Sequence, residues 1–397
     1  MSSNDWEQRK LGELGSLKNG MNFSKEAMGI GFPFVNLQNI FGNNVIDVTN
    51  LGKAMASDSQ LKDYNLLNGD VLFVRSSVKL EGVGEAALVP QNLENTTYSG
   101  FIIRFRDEYG LDNNFKRFLF GIESVRNQIM AQATNSANKN ISQTVLENLC
   151  LKIPNKSEQE KIGLYFSNLD HLITLHQRKC EETKTLKKYM LQKMFPQNGH
   201  SVPEIRFSGF TEDWEQRKFA DFTWDAGKRN KEDLDLEPYA ITNEHGFIRQ
   251  RDAHDDFGYM KDTDRKAYNI VQPNSFAYNP ARINVGSIGY YKGVENVIVS
   301  SLYEVFQTDN YVNDRFLWHW LKSDEFPRWI EKLQEGSVRL YFYYDKLCEC
   351  QLYMPSLEEQ EKIATFLDDL DHLITLHQHK CEELQNIKKF MLKNMFI

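Results

Sequence analysis

The sequence lacks long apolar runs, is poor in cysteine and has no excess of positive charge. No apolar run approaches the roughly 20 residues that a membrane-spanning helix needs, and the polar first ten residues indicate no targeting segment. Five cysteines in 397 residues are too few for the disulfide framework of a small secreted domain. We therefore expect reduced thiols and a cytoplasmic location.

The net charge of −8 argues against non-specific nucleic-acid binding, because such proteins neutralise phosphates with an excess of Lys and Arg. If the chain binds DNA, local patches or partner proteins must supply the positive charge.

Motifs for catalysis are also missing from the sequence. No glycine-rich phosphate loop of the Gly-x-x-x-x-Gly-Lys-Ser/Thr type occurs. The segment Tyr278-Asn279-Pro280-Ala281 only partly resembles the Asn-Pro-Pro-aromatic loop of amino-methyltransferases, and no glycine-rich cofactor strand precedes it. A catalytic DNA methyltransferase or nuclease is therefore the weaker hypothesis.

What the sequence does contain is an internal repeat. The hexapeptide Asp5–Lys10 recurs unchanged at Asp213–Lys218, and residues 155–195 are identical to residues 356–396 at 24 of 41 positions. Between these anchors the halves diverge, although Val83-Gly84 and Val285-Gly286 keep their place in the order. Similar frames with different contents indicate one task performed on two targets. The repeat predicts four parts: 1–153, 154–196, 197–354 and 355–397.

Residues 154–195 and 355–396 are predicted to be long helices. Each follows a proline and opens with a Glu-rich turn, which favours a helix start. Apolar or semi-polar residues then recur at alternating steps of three and four, which predicts a coiled-coil seam. About 35 helical residues would span roughly 50 Å. The predicted seam consists of Ile162, Phe166, Leu169, Ile173, His176, Cys180 and Met190, and of Ile363, Leu367, Leu370, Ile374, His377, Cys381 and Met391.

A zinc site is a second interpretation of part of this seam. His176 and Cys180 lie one turn apart, and His377 and Cys381 repeat the spacing, so four zinc-type ligands could converge. Structural zinc sites normally place their ligands on tight turns, whereas semi-polar seam residues commonly set helix register. We therefore expect no metal.

The globular parts are predicted to be α+β. Val71–Val74, Phe101–Phe105 and Val297–Phe306 are typical of strands. Phe115–Ala131 and Arg315–Leu333 each predict one helix late in its domain, since their apolar residues share a face.

DNA contacts would have to come from polar loops of these variable parts. Asn and Gln suit adenine, and Arg and Lys suit guanine, when they are presented to the major groove. Any single polar loop residue is more simply a turn residue, but loops at equivalent positions of a repeated frame favour a shared function. The candidates in the first half are Asn36, Gln38, Asn39, Asn43, Asn44, Arg75, Ser76, Lys79, Asn135, Asn138, Lys139 and Asn140. Those in the second half are Arg249, Arg251, Asn279, Arg282, Asn284, Arg339 and Tyr341.

The repeated helix openings, Glu158-Gln159-Glu160-Lys161-Ile162 and Glu359-Gln360-Glu361-Lys362-Ile363, resemble the conserved regions of type I restriction-modification specificity subunits. The following Leu-Asp-x-Leu-Ile-Thr segments and the opening Trp6–Leu11 are similar to the same family. The resemblance implies two pseudo-repeated α/β target-recognition domains joined by two long antiparallel coiled-coil helices. It implies that each domain reads half of a bipartite double-stranded DNA target and that the helices set the spacer.

The resemblance also implies partners. Two modification (methyltransferase) subunits would dock on the conserved helices, and restriction subunits would join them. S-adenosylmethionine, ATP and Mg would then be bound by those partners, and this chain would bind no cofactor and have no catalytic residue. The remaining alternative is a coiled-coil scaffold without base-specific DNA binding, which would not lose affinity steeply with salt.

Overall fold

The computed structural model describes residues 6–134, 138–197, 199–243, 246–253, 265–336 and 340–396. The chain forms two compact units. Unit 1 comprises residues 1–177 and 378–397, and unit 2 comprises residues 178–377. Each unit therefore holds one globular domain with a segment of both long helices. The four parts predicted from the sequence follow the order of segments along the chain, and their bounds stay a prediction.

The first half of the chain contains eleven of the described strands and five of the described helices. The strands are β1 (Glu7–Lys10), β2 (Gly15–Asn19), β3 (Met28–Val35), β4 (Gly52–Ala54), β5 (Val71–Val74), β6 (Ser76–Ser77), β7 (Ala86–Leu88), β8 (Thr97–Tyr98), β9 (Ile102–Asp107), β10 (Lys139–Asn140) and β11 (Cys150–Ile153). The helices are α1 (Asp58–Asp63), α2 (Asn113–Leu119), α3 (Glu123–Gln132), α4 (Gln143–Glu147) and α5 (Lys156–Lys193).

The second half contains the same numbers of described elements. Its strands are β12 (Glu215–Lys218), β13 (Thr223–Asp225), β14 (Lys228–Arg229), β15 (Pro238–Thr242), β16 (Gly246–Arg249), β17 (Asn269–Val271), β18 (Phe276–Tyr278), β19 (Ile288–Tyr290), β20 (Val297–Val299), β21 (Glu304–Thr308) and β22 (Gln351–Met354). Its helices are α6 (Gln250–Ala253), α7 (Asp314–Leu321), α8 (Glu325–Leu333), α9 (Tyr344–Glu349) and α10 (Leu357–Met395).

The two domains share a core of seven strands despite their divergent sequences, and the second domain adds β17 and β14 to its second sheet. A four-stranded antiparallel sheet has the order β2-β9-β5-β7 in the first domain and β13-β21-β18-β19 in the second. A second sheet contains β4-β3-β8 in the first domain, and the second domain places β16-β15-β20 in the same arrangement. Both include one parallel pair, β3 with β8 and β15 with β20. The α+β prediction is confirmed.

The repeated hexapeptide closes each domain at the start of its long helix. β1 pairs with β11, directly before α5, and β12 pairs with β22, directly before α10. Trp6 donates its indole N–H to Glu158 on α5 and packs edge-on against Phe115. Trp214 packs in the same way against Phe316. The hexapeptide therefore serves the packing of the domain on its helix.

The long helices are confirmed within two residues of their predicted ends. In unit 1, Phe396 stacks on Phe166, and Lys388 pairs with Asp170, so the two helix segments there run antiparallel. In unit 2, Lys187 pairs with Asp371, which is the same contact in the other copy of the repeat. No helix in the described parts of the chain is both long and apolar enough to cross a membrane.

Three predicted elements are wrong in detail. The single late helix of each domain is a pair of short helices, α2 with α3 and α7 with α8. In the second domain Pro327 lies in the first turn of α8, where its missing N–H is tolerated. In the interior of one continuous helix the same proline would remove a backbone hydrogen bond, so α7 ends before it. Likewise Val297–Phe306 is two strands, because a turn at Ser300–Tyr303 reverses the chain between β20 and β21.

Candidate nucleic-acid interface

Two of the polar loops predicted in the first half come together in unit 1. β10 pairs with β6, which sets Lys139 opposite Ser77 and Asn140 opposite Ser76. The backbone continues this contact, since Ile141 N–H donates to the carbonyl of Arg75 at 3.0 Å. Residues far apart in the sequence thus form one short polar ladder at the end of β5.

A third segment, the turn between β8 and β9, joins this ladder. Arg75 N–H donates to the carbonyl of Phe101 at 2.8 Å, and its guanidinium donates to the carbonyl of Gly100 at 3.3 Å. Lys79 lies on the next turn and is exposed. Together the segments enclose an open groove of about 500 Å³, and its lining includes Phe41, Ser76, Lys79, Phe101 and Asn138. We call this the domain 1 groove.

The Asn-rich segment of the first half is mostly structural. Asn39 is only 1% exposed, and its amide donates to the carbonyls of Asp47 and Asn50. Asn36 uses its side-chain oxygen to accept from Leu37 N–H at the start of a 3-10 turn. The structure therefore does not bring Asn39 to the surface, whereas Gln38 and Asn43 are exposed.

Asn44 belongs to an ionic cluster that holds the domain on the helices of unit 1. Arg117 donates to Asn44 at 2.9 Å and to Asp170 at 2.6 Å. Lys388 pairs with the other oxygen of Asp170. Sequence periodicity did not single out Arg117 or Asp170, because an ion pair between distant segments leaves no local pattern.

The second domain brings together the corresponding loops. Phe342 N–H donates to the carbonyl of Pro280 at 3.1 Å, so the segment of Tyr341 lies beside the segment of Arg282. Arg282 is the N-cap residue of a 3-10 turn, as Lys79 is in the first domain, and both side chains are exposed. Asn284 is exposed on this turn.

The other described candidates of the second domain already have polar partners, although Arg249 and Arg251 are exposed. Asn279 accepts from Ala281 N–H at 3.0 Å and is half-buried. Arg249 donates to the Tyr239 hydroxyl at 3.4 Å, and Arg251 lies 3.6 Å from Glu237. Asn135 and Arg339 lie outside the described residues.

The predicted seam residues line the helix pair to different depths. Those that are buried are Ile162, Phe166, Leu169, Ile173, Cys180, Ile363, Leu367, Leu370 and Cys381. Those of intermediate exposure are His176, Met190, Ile374, His377 and Met391. The Cys180 thiol points at the carbonyl of Ile374 in unit 2, and the Cys381 thiol at the carbonyl of Ile173 in unit 1.

One group of potential metal ligands occurs within the described ranges: His319, Asp368 and Asp371 in unit 2. His319 lies 2.9 Å from Asp368, which also accepts from Arg315, and Asp371 pairs with Lys187. Burial lowers the pKa of His319. Burial raises the pKa of Asp368, but the hydrogen bond from His319 and nearby positive charges outweigh it and bring the pKa to about 2. Arg315 and Lys187 already neutralise the two carboxylates. The cluster is therefore an ion-pair network that joins α7 to α10.

Two glutamines at the start of the long helices carry matching buried contacts. Gln159 accepts from Asp112 N–H and donates to the carbonyl of Pro154. Gln360 does the same with Asn313 and Pro355. These contacts explain the glutamine of the repeated Glu-Gln-Glu segment, since each glutamine joins a long helix to the start of the neighbouring domain helix.

Comparison with known proteins agrees with this repeated architecture. The family described as type I restriction modification DNA specificity domain matches residues 3–185 and again residues 211–386. The putative type I restriction enzyme MjaX specificity subunit of Methanocaldococcus jannaschii is 23% identical over 415 residues, covering 97% of this chain and 91% of that protein. The type I restriction enzyme EcoKI specificity subunit of Escherichia coli is 28% identical over 151 residues, covering 38% of this chain and 32% of that protein.

Solved structures share the fold. The S subunit of a type I restriction-modification system from M. genitalium superposes with a TM-score of 0.60 at 16% identity and covers 100% of this chain and 98% of its own. The HsdS subunit from Thermoanaerobacter tengcongensis superposes with a TM-score of 0.52 at 16% identity. The match covers 99% of this chain and 96% of that subunit. Because the family matches most of the chain, in two consecutive copies, this chain belongs to the type I restriction-modification DNA specificity family.

Proposed function

We propose that this chain is the recognition subunit of a type I restriction-modification complex and that each domain reads one half of a bipartite double-stranded DNA target. The observation that carries the proposal is the repeated frame. The same sheets present loops at the same positions, yet the loop residues differ between the halves. Recognition of two different half-sites requires this combination of a constant frame and variable contacts.

The loop chemistry supports base readout. The domain 1 groove presents a hydroxyl, an amide and a lysine within one concave surface. The second domain presents Arg282 and Asn284 on the equivalent turn. Amide groups and cations of these kinds pair with adenine and guanine edges in the major groove. Catalysis is assigned to partner subunits.

The long helices support a role in setting the spacer. At 1.5 Å per residue the 38 residues of α5 extend over roughly 57 Å, and α10 is one residue longer. Half-sites read from one face of B-DNA are separated by about one helical turn of roughly 34–36 Å, or by a multiple of it. Helices of this length are of the scale that such a spacer requires.

The helices also offer surfaces for two modification subunits. Leu172 and Phe390 are exposed on the helix segments of unit 1, and Leu373 and Tyr189 are exposed at the equivalent positions of unit 2. Two equivalent surfaces fit two copies of one partner, and such partners would add positive charge that this acidic chain lacks. S-adenosylmethionine, ATP and Mg would be bound by modification and restriction subunits, in the cytoplasm.

The test is the methylation pattern of the cell. Methylated adenines are mapped genome-wide by single-molecule sequencing with and without this chain, while the modification subunit is expressed. We expect a two-part motif with a fixed gap that disappears when the chain is deleted. An unchanged pattern, with the modification subunit shown to be active, would favour the scaffold alternative.

A further inference from the structure

Each domain exposes one large apolar side chain at the tip of the same turn. Phe101 precedes β9 and is 57% exposed, and Leu302 lies at the equivalent position before β21 and is 73% exposed. Single exposed apolar residues are ordinary on protein surfaces. Here, however, the exposure recurs in two domains whose loop sequences otherwise differ.

The two turns are built by the same hydrogen bonds. Phe101 N–H donates to Ser99 Oγ at 3.3 Å, and Leu302 N–H donates to Ser300 Oγ at 3.4 Å. Each turn is closed by a backbone bond to the same serine, from Ile102 at 2.9 Å and from Tyr303 at 3.0 Å. The frame therefore fixes the backbone below the exposed side chain in both units.

The sheet register confirms that the positions are equivalent. In the first domain Phe105 of β9 lies opposite Val71 of β5. In the second domain Phe306 of β21 lies opposite Phe276 of β18. Phe101 and Leu302 are each four residues before these positions, so they occupy the same place on the repeated frame.

The surroundings of Phe101 are mainly polar and charged. Its carbonyl accepts from Arg75 N–H, and its ring lines the domain 1 groove beside Ser76, Lys79 and Asn138. Glu81 and Glu85 line the same groove, and Glu85 is engaged with Gly42 N–H. An apolar ring among hydrogen-bonding groups fits a base-pair edge that combines polar atoms with a methyl group.

The surroundings of Leu302 follow from the strand pairing. The end of β18 lies beside the start of β21, since Tyr278 is opposite Glu304. Leu302 comes just before β21, and Arg282 lies on the 3-10 turn that follows β18, so this cation is at the same end of the strand pair as Leu302.

We propose that Phe101 and Leu302 each contact the 5-methyl group of a thymine in the half-site read by their own domain. In the major groove the methyl group is the apolar feature that marks a thymine, and apolar side chains recognise it. This inference rests on the proposed function, and it adds two specificity-determining residues that residue type alone did not suggest.

The test uses the complete complex with its modification subunits and a duplex carrying the mapped target. Each thymine of a half-site is replaced in turn by deoxyuridine, which removes only the methyl group, and binding is measured by competition. We expect one replacement in the first half-site to weaken binding by about four-fold, the effect of one buried methyl group. In the Phe101→Ala complex the same replacement should cause no further loss.

Three variants make the result specific. Leu302→Ala should abolish sensitivity to one thymine of the second half-site and leave the first unchanged. Phe101→Leu, which installs the side chain of the other domain, should keep most of the sensitivity. Tyr109→Ala removes a comparably exposed ring beyond the other end of β9. This variant should leave the sensitivity to deoxyuridine unchanged.

The outcomes separate this inference from the proposed function. If the wild-type complex does not prefer its target over a scrambled duplex, the proposed function fails. If it does prefer the target but no thymine is sensitive, or if Phe101→Ala stays as sensitive as the wild type, the thymine contact is wrong. Weaker binding by Phe101→Ala with unchanged deoxyuridine sensitivity would equally overturn it.

Discussion

At the scale of single residues, each side chain of one domain can be compared with the side chain at the equivalent position of the other domain. His319 on α7 is fully buried and bound to Asp368, whereas the equivalent residue of the first domain is Phe118, which packs against Phe166. The two copies thus meet the same packing requirement with an ion-pair network in one unit and an aromatic pair in the other. The second unit therefore has a titratable side chain at a position where the first unit has none.

We predict that unit 2 loses stability as the pH falls from 7 to 5 and that His319→Phe reduces this loss. Burial holds the folded pKa of His319 below its unfolded value near 6.5, so its contribution is complete above 6.5 and decreases as the pH falls through the folded pKa. Lys187, Arg315 and Asp371 are the other charged groups near the pair. Urea unfolding followed by hydrogen exchange of unit 2 peptides at each pH measures the effect.

The exposed His372 provides the control for this experiment, because His372→Ala should leave the pH dependence unchanged. If the free energy of unfolding of unit 2 changed equally with pH in wild type and His319→Phe, another group would be the cause of the pH dependence.

We also predict that Lys79→Ala and Arg282→Ala each impair one half-site only. Both cations are exposed on equivalent 3-10 turns of different domains. Loss of a base contact should cost about 1–3 kcal/mol of binding free energy, and loss of a phosphate contact should lower the salt slope by about one. Competition with duplexes altered in one half-site measures this, and equal losses at both half-sites would contradict reading by separate domains.

At the scale of elements, the Val-Gly landmark at the end of each 3-10 turn shows that equivalent backbone positions tolerate different packing. Gly84 and Gly286 both have positive φ, at +69° and +87°. A Cβ on Gly84 would overlap Ile129 of α3, whereas a Cβ on Gly286 would meet Asn243 at an ordinary 3.6 Å. Both positions require a left-handed backbone conformation, but only Gly286 has room for a Cβ atom.

We therefore predict that Gly84→Ala destabilises unit 1 more than Gly286→Ala destabilises unit 2. Left-handed backbone costs an alanine about 1–2 kcal/mol, and overpacking against Ile129 adds roughly 1–3 kcal/mol. The free energy of unfolding of each unit, from urea titration with unit-specific hydrogen exchange, gives the comparison. Similar losses in the two units would mean that Ile129 moves aside without cost.

At the scale of the whole molecule, the length of α5 and α10 leads to a prediction about the DNA spacer. Duplicating residues 171–177 and 372–378 in place adds one heptad to each helix and keeps the seam in phase. Each helix lengthens by roughly 10 Å, which corresponds to about three base pairs of B-DNA. We expect the methylated motif to keep both half-sites and to gain a gap longer by about three base pairs.

Methylome mapping in cells that express the lengthened chain measures the gap. An insertion of four residues, which breaks the seam phase, serves as the control and should abolish methylation. A folded heptad variant that methylates the original motif would show that the helices do not set the spacer.

Much of this molecule was predictable from the sequence because its signals are local or repeated. The helix ends, the buried seam positions such as Phe166 and Leu367, and the α+β character follow from periodicity and from the internal repeat. The break between α7 and α8 was missed because the apolar face continues across it, although Pro327 marked the position. For the candidate interface, the sequence identified the loops of Ser76 and Arg282 from residue type and from their place in the repeat.

Tertiary structure alone decided which of those loop residues are available and what stands beside them. Asn39 and Gln38 are both polar and nearly adjacent in sequence, yet hydrogen bonds to distant carbonyls bury Asn39, while Gln38 is exposed. Phe101 belonged to a predicted strand, and only the chain reversal at Ser99 exposes it beside the ladder of Ser76 and Asn140. The repeated frame could be predicted from the amino-acid order, because periodicity and internal identity depend on neighbours along the chain. The reading surface was decided by contacts between segments tens of residues apart, which leave no periodic signal in the chain.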